Sequence, residues 1–213
     1  MILDLEKMIS KYNLNITGVI HIGAHIGQEY DTYQNNNIDN YIFIEPLEPA
    51  YSRLLERVSH NPNAVCVKTA LGNFNGTVTM NTETANQGMS SSILSPRQHL
   101  DQYPDIVFDG TQEVPIQTLD SLGEDLKVDI TKYNFINIDI QGYELEAFKG
   151  AKKCLETIEY IMTEVNRDEV YENCCKVDEL DNFLKGWGFT RRETDWHGGS
   201  WGDSLYIKGG HND

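Results

Sequence analysis

The segment Val19-Ile-His-Ile-Gly-Ala-His-Ile-Gly-Gln-Glu29, followed by Tyr41-Ile-Phe-Ile-Glu-Pro46, constrains the fold more than any other part of the chain. Val19 to Ile22 is a short β-branched run suited to a strand buried on both faces, as in a parallel sheet. Gly23 and Gly27 bracket a turn in which a side chain would keep a ligand from the backbone. A helix is expected from about Gln28, with its first N–H groups turned towards the loop. Tyr41 to Ile44 repeats the strand pattern and ends in Glu45, where a carboxylate can accept hydrogen bonds from both hydroxyls of a ribose. The glycine turn alone, or the acid alone, is equally well explained by packing; the order strand, loop, helix, strand, acid points to a nucleoside.

The residues also narrow the cofactor. After Gly23 come Ala24, His25, Ile26 and Gly27, which gives G-x-x-x-G rather than the G-x-G-x-x-G of a dinucleotide cradle. No G-x-x-x-x-G-K-[ST] loop occurs either. S-adenosylmethionine, an adenosine without phosphates, fits what remains, and a nicotinamide dinucleotide fits less well.

The 213 residues suffice for one α/β domain, and a single domain over 1–213 is expected. Seventeen Lys and Arg against 33 Asp and Glu give a formal net charge of -16, which repels nucleic acid and anionic lipid. Cys66, Cys154, Cys174 and Cys175 lack C-x-x-C spacing, so neither a zinc site nor a disulfide framework is expected. With no signal-like leader and no apolar run of membrane-spanning length, the chain reads as soluble and cytoplasmic.

Apolar periodicity then alternates in the βαβ manner. Helices are expected at Leu3–Tyr12 within an N-terminal segment 1–15, and at Gln28–Asn35, Ala50–Ser59, Gln98–Tyr103, Glu144–Leu155 and Val177–Gly186. Strands are expected at Gly18–Ile22, Tyr41–Ile44, Ala64–Ala70, Thr77–Asn81, Glu113–Thr118, Phe135–Ile140, Tyr160–Val165, Thr190–Glu193 and Ser204–Lys208. Leu119–Gly123 reads as a turn, and the polar stretch from Thr84, within a region 84–112, as a loop over a ligand. The fold class is a doubly wound, mainly parallel α/β sheet with an antiparallel C-terminal edge.

In such sheets ligands gather at the carboxyl ends of the strands, which here carry Gly23 and His25, Glu45, Leu71-Gly-Asn73, Asp139 with Gln141, and Glu164 with Asn166. A carboxylate at the end of the buried run Phe135–Ile138 requires a partner: a substrate hydroxyl, a metal or a protein donor, including the start of the helix after Gly142.

The stretch Asn137-Ile-Asp-Ile-Gln-Gly-Tyr-Glu-Leu-Glu-Ala-Phe-Lys-Gly150 resembles the signature of the FkbM family of S-adenosylmethionine-dependent O-methyltransferases. The resemblance extends in order through Ile22–Gly27, Glu45-Pro46, Ala70-Leu-Gly-Asn73, Ser90-Ser-Ser-Ile-Leu94, Thr118-Leu-Asp120 and Thr163-Glu-Val165. It implies a Rossmann-like class I methyltransferase fold. It also implies cofactor contacts from His21, Gly23, Ala24, His25, Gly27 and Glu29, from Glu45 and Pro46, from Ala70, Leu71 and Gly72, and from Ser91, Asp139 and Gln141. His21 and His25 stand where the family more often has Asp and Asn, and Gln141 replaces a frequent Glu, which bears against a two-carboxylate metal site. The remaining metal candidates are Asp139 and Glu164, for a divalent cation such as magnesium or manganese.

Methyl transfer to an alcohol needs collinear oxygen, methyl and sulfur, and a group that takes the hydroxyl proton. Asp139, Glu164 and His197 are the candidates. The segment Thr194-Asp-Trp-His-Gly-Gly-Ser-Trp-Gly-Asp203, expected as a loop over 194–203, offers Trp196 and Trp201 as flat faces for a sugar, with Asp195, His197, Ser200 and Asp203 as hydrogen-bonding groups. An equal reading is a loop whose tryptophans close the core. Tyr143, Glu144 and Asn166 are placed on the acceptor side, whereas His60, His99 and His211 read as surface residues. The expected acceptor is a hydroxyl of a sugar, in a glycan or nucleotide sugar and conceivably a deoxyhexose such as rhamnose or fucose. A polyketide hydroxyl, a non-catalytic S-adenosylmethionine-binding module and an NAD-dependent oxidoreductase are the alternatives, and a glycosyltransferase is the expected protein partner.

Overall fold

Short strands buried on both faces need neighbours on both sides, and the chain supplies them in a computed structural model that describes residues 3–209. His211 lies outside the described residues. In chain order the elements are α1 (Leu5–Tyr12), β1 (Val19–Ile22), α2 (Tyr30–Asn35), β2 (Tyr41–Ile44), α3 (Ala50–Val58), β3 (Ala64–Val67), β4 (Ala70–Leu71), β5 (Gly76–Glu83), α4 (Gln98–Gln102) and β6 (Phe108–Gln117). They continue with α5 (Leu119–Leu126), β7 (Phe135–Ile138), α6 (Glu144–Lys149), α7 (Lys152–Thr157), β8 (Tyr160–Asn166), α8 (Val177–Gly186), β9 (Phe189–His197) and β10 (Trp201–Lys208).

The main sheet runs β3-β2-β1-β7-β8-β10-β9. The first five strands are parallel, with Val19 opposite both Tyr41 and Phe135, and β10 is antiparallel to β8 and β9. Side chains alternate between the two faces. Ile20 and Ile22 pack with Leu122, Phe148, Leu155 and Leu184 of α5 to α8, while Val19 packs with Met8, Tyr33 and Leu54 of α1 to α3. The doubly wound, mainly parallel α/β architecture with an antiparallel C-terminal edge is therefore present, and the strand order reverses beside β1, where such sheets bind ligands.

A second sheet, β4-β6-β5, stands beside the carboxyl ends of the main one. It explains one departure from the sequence expectation. Ala64–Ala70 is not one strand: β3 stays in the main sheet, and after Thr69, whose hydroxyl donates to the Pro115 carbonyl at 3.1 Å, the chain crosses to β6.

Three further expectations are corrected. Glu144–Leu155 is two helices, because Gly150 lies against the backbone of Gly72, where an added Cβ would come within 2.0 Å of the Gly72 carbonyl oxygen. Leu119–Gly123 opens a helix rather than a turn. Thr118 caps α5 by accepting from the Ser121 amide at 3.1 Å, and Asp120 in turn accepts from the Lys153 and Cys154 amides at the start of α7. The expected loop 194–203 is a β-hairpin, with Trp196 paired to Gly202 and Asp195 to Asp203.

Candidate active site

β1 and β2 end together, and Gly23 begins the turn with φ of 77° because β7 leaves no room above it: an added Cβ would meet the Asp139 carbonyl oxygen at 2.0 Å. This close approach brings the turn, Glu45 and Asp139 into one place. Glu45 is buried, and its two oxygens are held apart by two backbone donors, the His25 amide at 2.9 Å on one and the Leu47 amide at 2.9 Å on the other. Burial raises its pKa, and the two N–H groups oppose that shift.

These residues floor a narrow cavity at the carboxyl ends of the strands. Of the residues expected at the cofactor, Gly23, His25, Glu45, Pro46, Ala70, Leu71, Ser91, Asp139 and Gln141 line it together. Leu47, Met80, Gly88, Met89 and Ile93 line it as well. Leu47 follows β2, Met80 lies in β5, and Gly88, Met89 and Ile93 come from the segment after β5, where no periodic pattern marked them.

The other expected cofactor residues lie elsewhere. His21 is on the opposite face of β1, buried against Phe43, with the Tyr33 hydroxyl 3.2 Å from its Nδ1, and burial lowers its pKa. Glu29 lies 4.0 Å from His21 and lines a separate depression with Leu5 and Tyr33. Ala24 belongs to the core beneath α2 and α3. Gly27, with φ of 74°, packs against α3: an added Cβ would meet Leu54 Cδ1 at 2.9 Å. At Gly72 the neighbours are Ile116 and Tyr143. The expected helix start at Gln28 is also displaced, since α2 begins at Tyr30 and has six residues.

A second, roomier cavity adjoins the first, with Met89, Asp139 and Gln141 lining both. Glu164, His197 and Trp201 line this second cavity with His99, Tyr103, Ile106 and Val170. Two bonds hold its outer wall: Trp201 Nε1 donates to the Tyr103 hydroxyl at 2.9 Å, and Ser200 Oγ donates to Gln102 Oε1 at 3.0 Å. At its base Gln141, in a left-handed conformation with φ of 55°, directs Nε2 to Asp139 Oδ1 at 2.7 Å and to Glu164 Oε2 at 2.9 Å. The Tyr171 hydroxyl donates to Gln141 Oε1 at 2.8 Å, and Ser92 Oγ donates to the Gln141 carbonyl at 2.8 Å. Burial, then repulsion from Asp139 and Glu144, raises the Glu164 pKa well above the carboxylate range.

Several residues expected at the acceptor side are structural. Glu144, fully buried, accepts from the Ile140 and Gly142 amides at 3.0 and 3.1 Å and so shapes the turn that carries Gln141. No side chain caps α6 at Tyr143, so Asp139 does not serve as its cap. Asn166 donates to Glu164 Oε1 at 3.0 Å. Asp203 is buried in the ladder and accepts from the Leu3 amide at 3.0 Å, and Trp196 lies under the Arg167 guanidinium, 3.7 Å from its ring centre. His99, expected at the surface, is instead buried among Tyr103, Phe108 and Tyr171, with no hydrogen bond at Nδ1. The backbone bonds of Arg97 and His99 to the Val170 carbonyl, distant in sequence, help to bury it, and local pattern gave no signal of that pairing.

A family model described as the methyltransferase FkbM domain matches residues 21–191. The chain belongs to the FkbM methyltransferase family. It thus carries a methyltransferase domain of the S-adenosylmethionine-dependent FkbM type. The 2-O-methyltransferase NoeI of Sinorhizobium fredii (strain NBRC 101917 / NGR234) is 24% identical over 160 residues, covering 72% of this FkbM chain and 65% of that relative. The match therefore spans just under two thirds of that relative's length.

Among solved structures, Sp1610 of Streptococcus pneumoniae in complex with S-adenosyl-L-methionine shares the fold, with a TM-score of 0.51, 13% identity, and coverage of 100% of this chain and 75% of that one. Magnesium protoporphyrin IX methyltransferase ChlM from Synechocystis PCC 6803, with bound SAM, has a TM-score of 0.50 and 9% identity over 96% of this chain and 76% of its own. The FkbM chain thus has the Rossmann-like fold of these methyltransferases. Among the described residues no helix is long and apolar enough to cross a membrane.

Proposed function

We propose that this protein transfers a methyl group from S-adenosylmethionine, held in the first cavity, to a sugar hydroxyl in the second. The observation that carries the reading is the junction: Asp139 and Gln141 line both cavities, so a donor in one and an acceptor in the other would meet at a carboxylate. S-adenosylmethionine fits the first cavity by its chemistry: a buried acid with free lone pairs suits a ribose diol, and Leu47, Leu71, Met80 and Ile93 suit an adenine.

When bound, that cofactor supplies a sulfonium methyl carbon, so a C–O bond forms as the C–S bond breaks and the electron pair leaves on sulfur. The protein's own part is to orient the acceptor hydroxyl and take its proton. Asp139 is the acceptor of that proton. The Gln141 amide, shared with Glu164, whose pKa burial raises, holds the Asp139 carboxyl in place, while His197, beside Trp201 with ring centres 4.9 Å apart, stands across the cavity as the alternative base.

The metal arrangement suggested for Asp139 and Glu164 does not suit these residues. Gln141 presents N–H groups where a cation would sit, its oxygen is engaged by Tyr171, and among the described residues no group of three His, Cys, Asp or Glu has metal-binding geometry.

Support for a sugar comes from the lining. Tyr103, His197 and Trp201 give flat faces, the polar base offers hydrogen bonds, and Ile106 and Val170 suit the methyl of a deoxyhexose. Neither Lys nor Arg is among the lining residues, which favours a glycan or simple glycoside over a nucleotide sugar and its diphosphate. A cytoplasmic role beside a glycosyltransferase accords with a glycan acceptor. The test is incubation with S-adenosylmethionine and methyl glycosides of fucose, rhamnose and other hexoses, alongside phenolic and macrolide alcohols, read by mass spectrometry. Gain of one methyl group on a glycoside is expected; methylation confined to the non-sugar alcohols would overturn the sugar assignment.

A further inference from the structure

We infer that His25 is a positioning residue that sets how long the methyl donor stays bound, a role that rests on the first cavity being the donor site. His25 has φ of 47°, a left-handed conformation that aims its two ends in different directions. Its backbone amide holds Glu45 Oε2 at 2.9 Å, and its ring Nε2 lies 2.9 Å from the Gln87 carbonyl oxygen. Gln28 Nε2 donates to the ring Nδ1 at 2.9 Å, which leaves the proton of the neutral ring on Nε2, where it is donated to Gln87. The tautomer and both partners agree.

Gln87 is the crest of the segment that walls the cavity. It and Gly88 have φ of 59° and 87°, which turn the chain back so that Gly88 and Met89 reach the lining. The base of this segment is fixed independently, since Glu83 accepts from the Asn86 and Ser90 amides at 2.5 and 3.2 Å. The crest is tied across the cavity to the glycine turn by the His25 ring. One residue therefore joins the acid proposed for the ribose to the wall that covers it, and a nucleoside leaving past the crest must break that bond.

The test compares His25→Ala and His25→Asn with the wild type. Asn also tolerates the left-handed backbone but is too short to reach Gln87, so it separates backbone conformation from the reach of the ring. Two readouts are taken: hydrogen exchange of residues 84–91 in the protein without donor, and the dissociation rate of S-adenosylhomocysteine by stopped flow. We expect faster exchange confined to that segment, and dissociation faster by about 3- to 10-fold in both variants, the worth of one net hydrogen bond, with little change in the association rate. Wild-type behaviour of His25→Asn in both readouts would overturn the role of the ring. Failure of the wild type to bind S-adenosylhomocysteine would overturn the donor-site reading and the residence claim with it, while the exchange data would still decide whether His25 holds the segment.

Discussion

Asp139 and Glu164 take hydrogen bonds from one and the same atom, the side-chain nitrogen of Gln141, at 2.7 and 2.9 Å. Two carboxyls brought this close cannot both ionise without repulsion, and the more buried Glu164 is the one whose pKa is raised. The pair is therefore asymmetric, which is the basis for proposing Asp139 as the proton acceptor and Glu164 as its support.

Replacing Asp139 by Asn should lower kcat by about 10²- to 10⁴-fold, the range for loss of a positioned proton acceptor. Glu164→Gln keeps a hydrogen-bond donor in place and should cost roughly tenfold or less. Steady-state kinetics on a methylated acceptor, with donor affinity measured separately, would check the order. Equal losses in the two variants would contradict the asymmetry.

Stability should fall as pH rises from the acid side. Burial raises the pKa of Glu164 and, to about 7, that of Glu144, so the folded protein binds more protons than the unfolded chain above about pH 4.3, the ordinary Glu value. That contribution is lost as pH climbs towards neutrality. Urea midpoints across this range should decline for the wild type and flatten for Glu164→Gln. A wild-type midpoint that rises would contradict the burial of these acids.

His99→Phe preserves the aromatic packing against Tyr103 and Tyr171 and removes both ring nitrogens. Burial lowers the His99 pKa, so the ring is neutral, and its unpartnered Nδ1 leaves Nε2–H as the cheaper tautomer for donation to an acceptor. The expected effect is a rise of about 3- to 10-fold in acceptor KM with donor affinity unchanged, a hydrogen bond's worth. An unchanged KM would remove His99 from the acceptor site.

Much of this arrangement was legible in the residues. The parallel strands announce themselves because both faces are buried, so Val19–Ile22 and Tyr41–Ile44 read as continuous apolar runs, and Glu45 stands out as the acid that ends one of them. What pairs across the fold was not. Trp196 and Asp203 looked like loop residues because Gly198 and Gly199 form the tip of a hairpin whose strands run further than their alternation suggests. The glycines carry more than one meaning. Gly27 has a positive φ and lies against Leu54, and Gly72 lies against Ile116 and Tyr143, and a sequence does not distinguish room for a ligand from room for a neighbour.

Gly150→Ala tests one such packing contact. Its Cβ would lie 2.0 Å from the Gly72 carbonyl oxygen, so backbone must move, at a cost of about 1–3 kcal/mol or more. Gly186→Ala, with open space around the added carbon, is the control and should be near neutral. Thermal unfolding of the two variants would check the contrast.

The account stands most directly on the occupant of the first cavity, which calorimetric titration with S-adenosylmethionine and, separately, NAD would identify in the wild type and in Glu45→Ala. It predicts binding of S-adenosylmethionine in the micromolar range, weakened about tenfold or more when the ribose acid is removed, and no binding of NAD. Binding of NAD, or an S-adenosylmethionine affinity indifferent to Glu45, would contradict it.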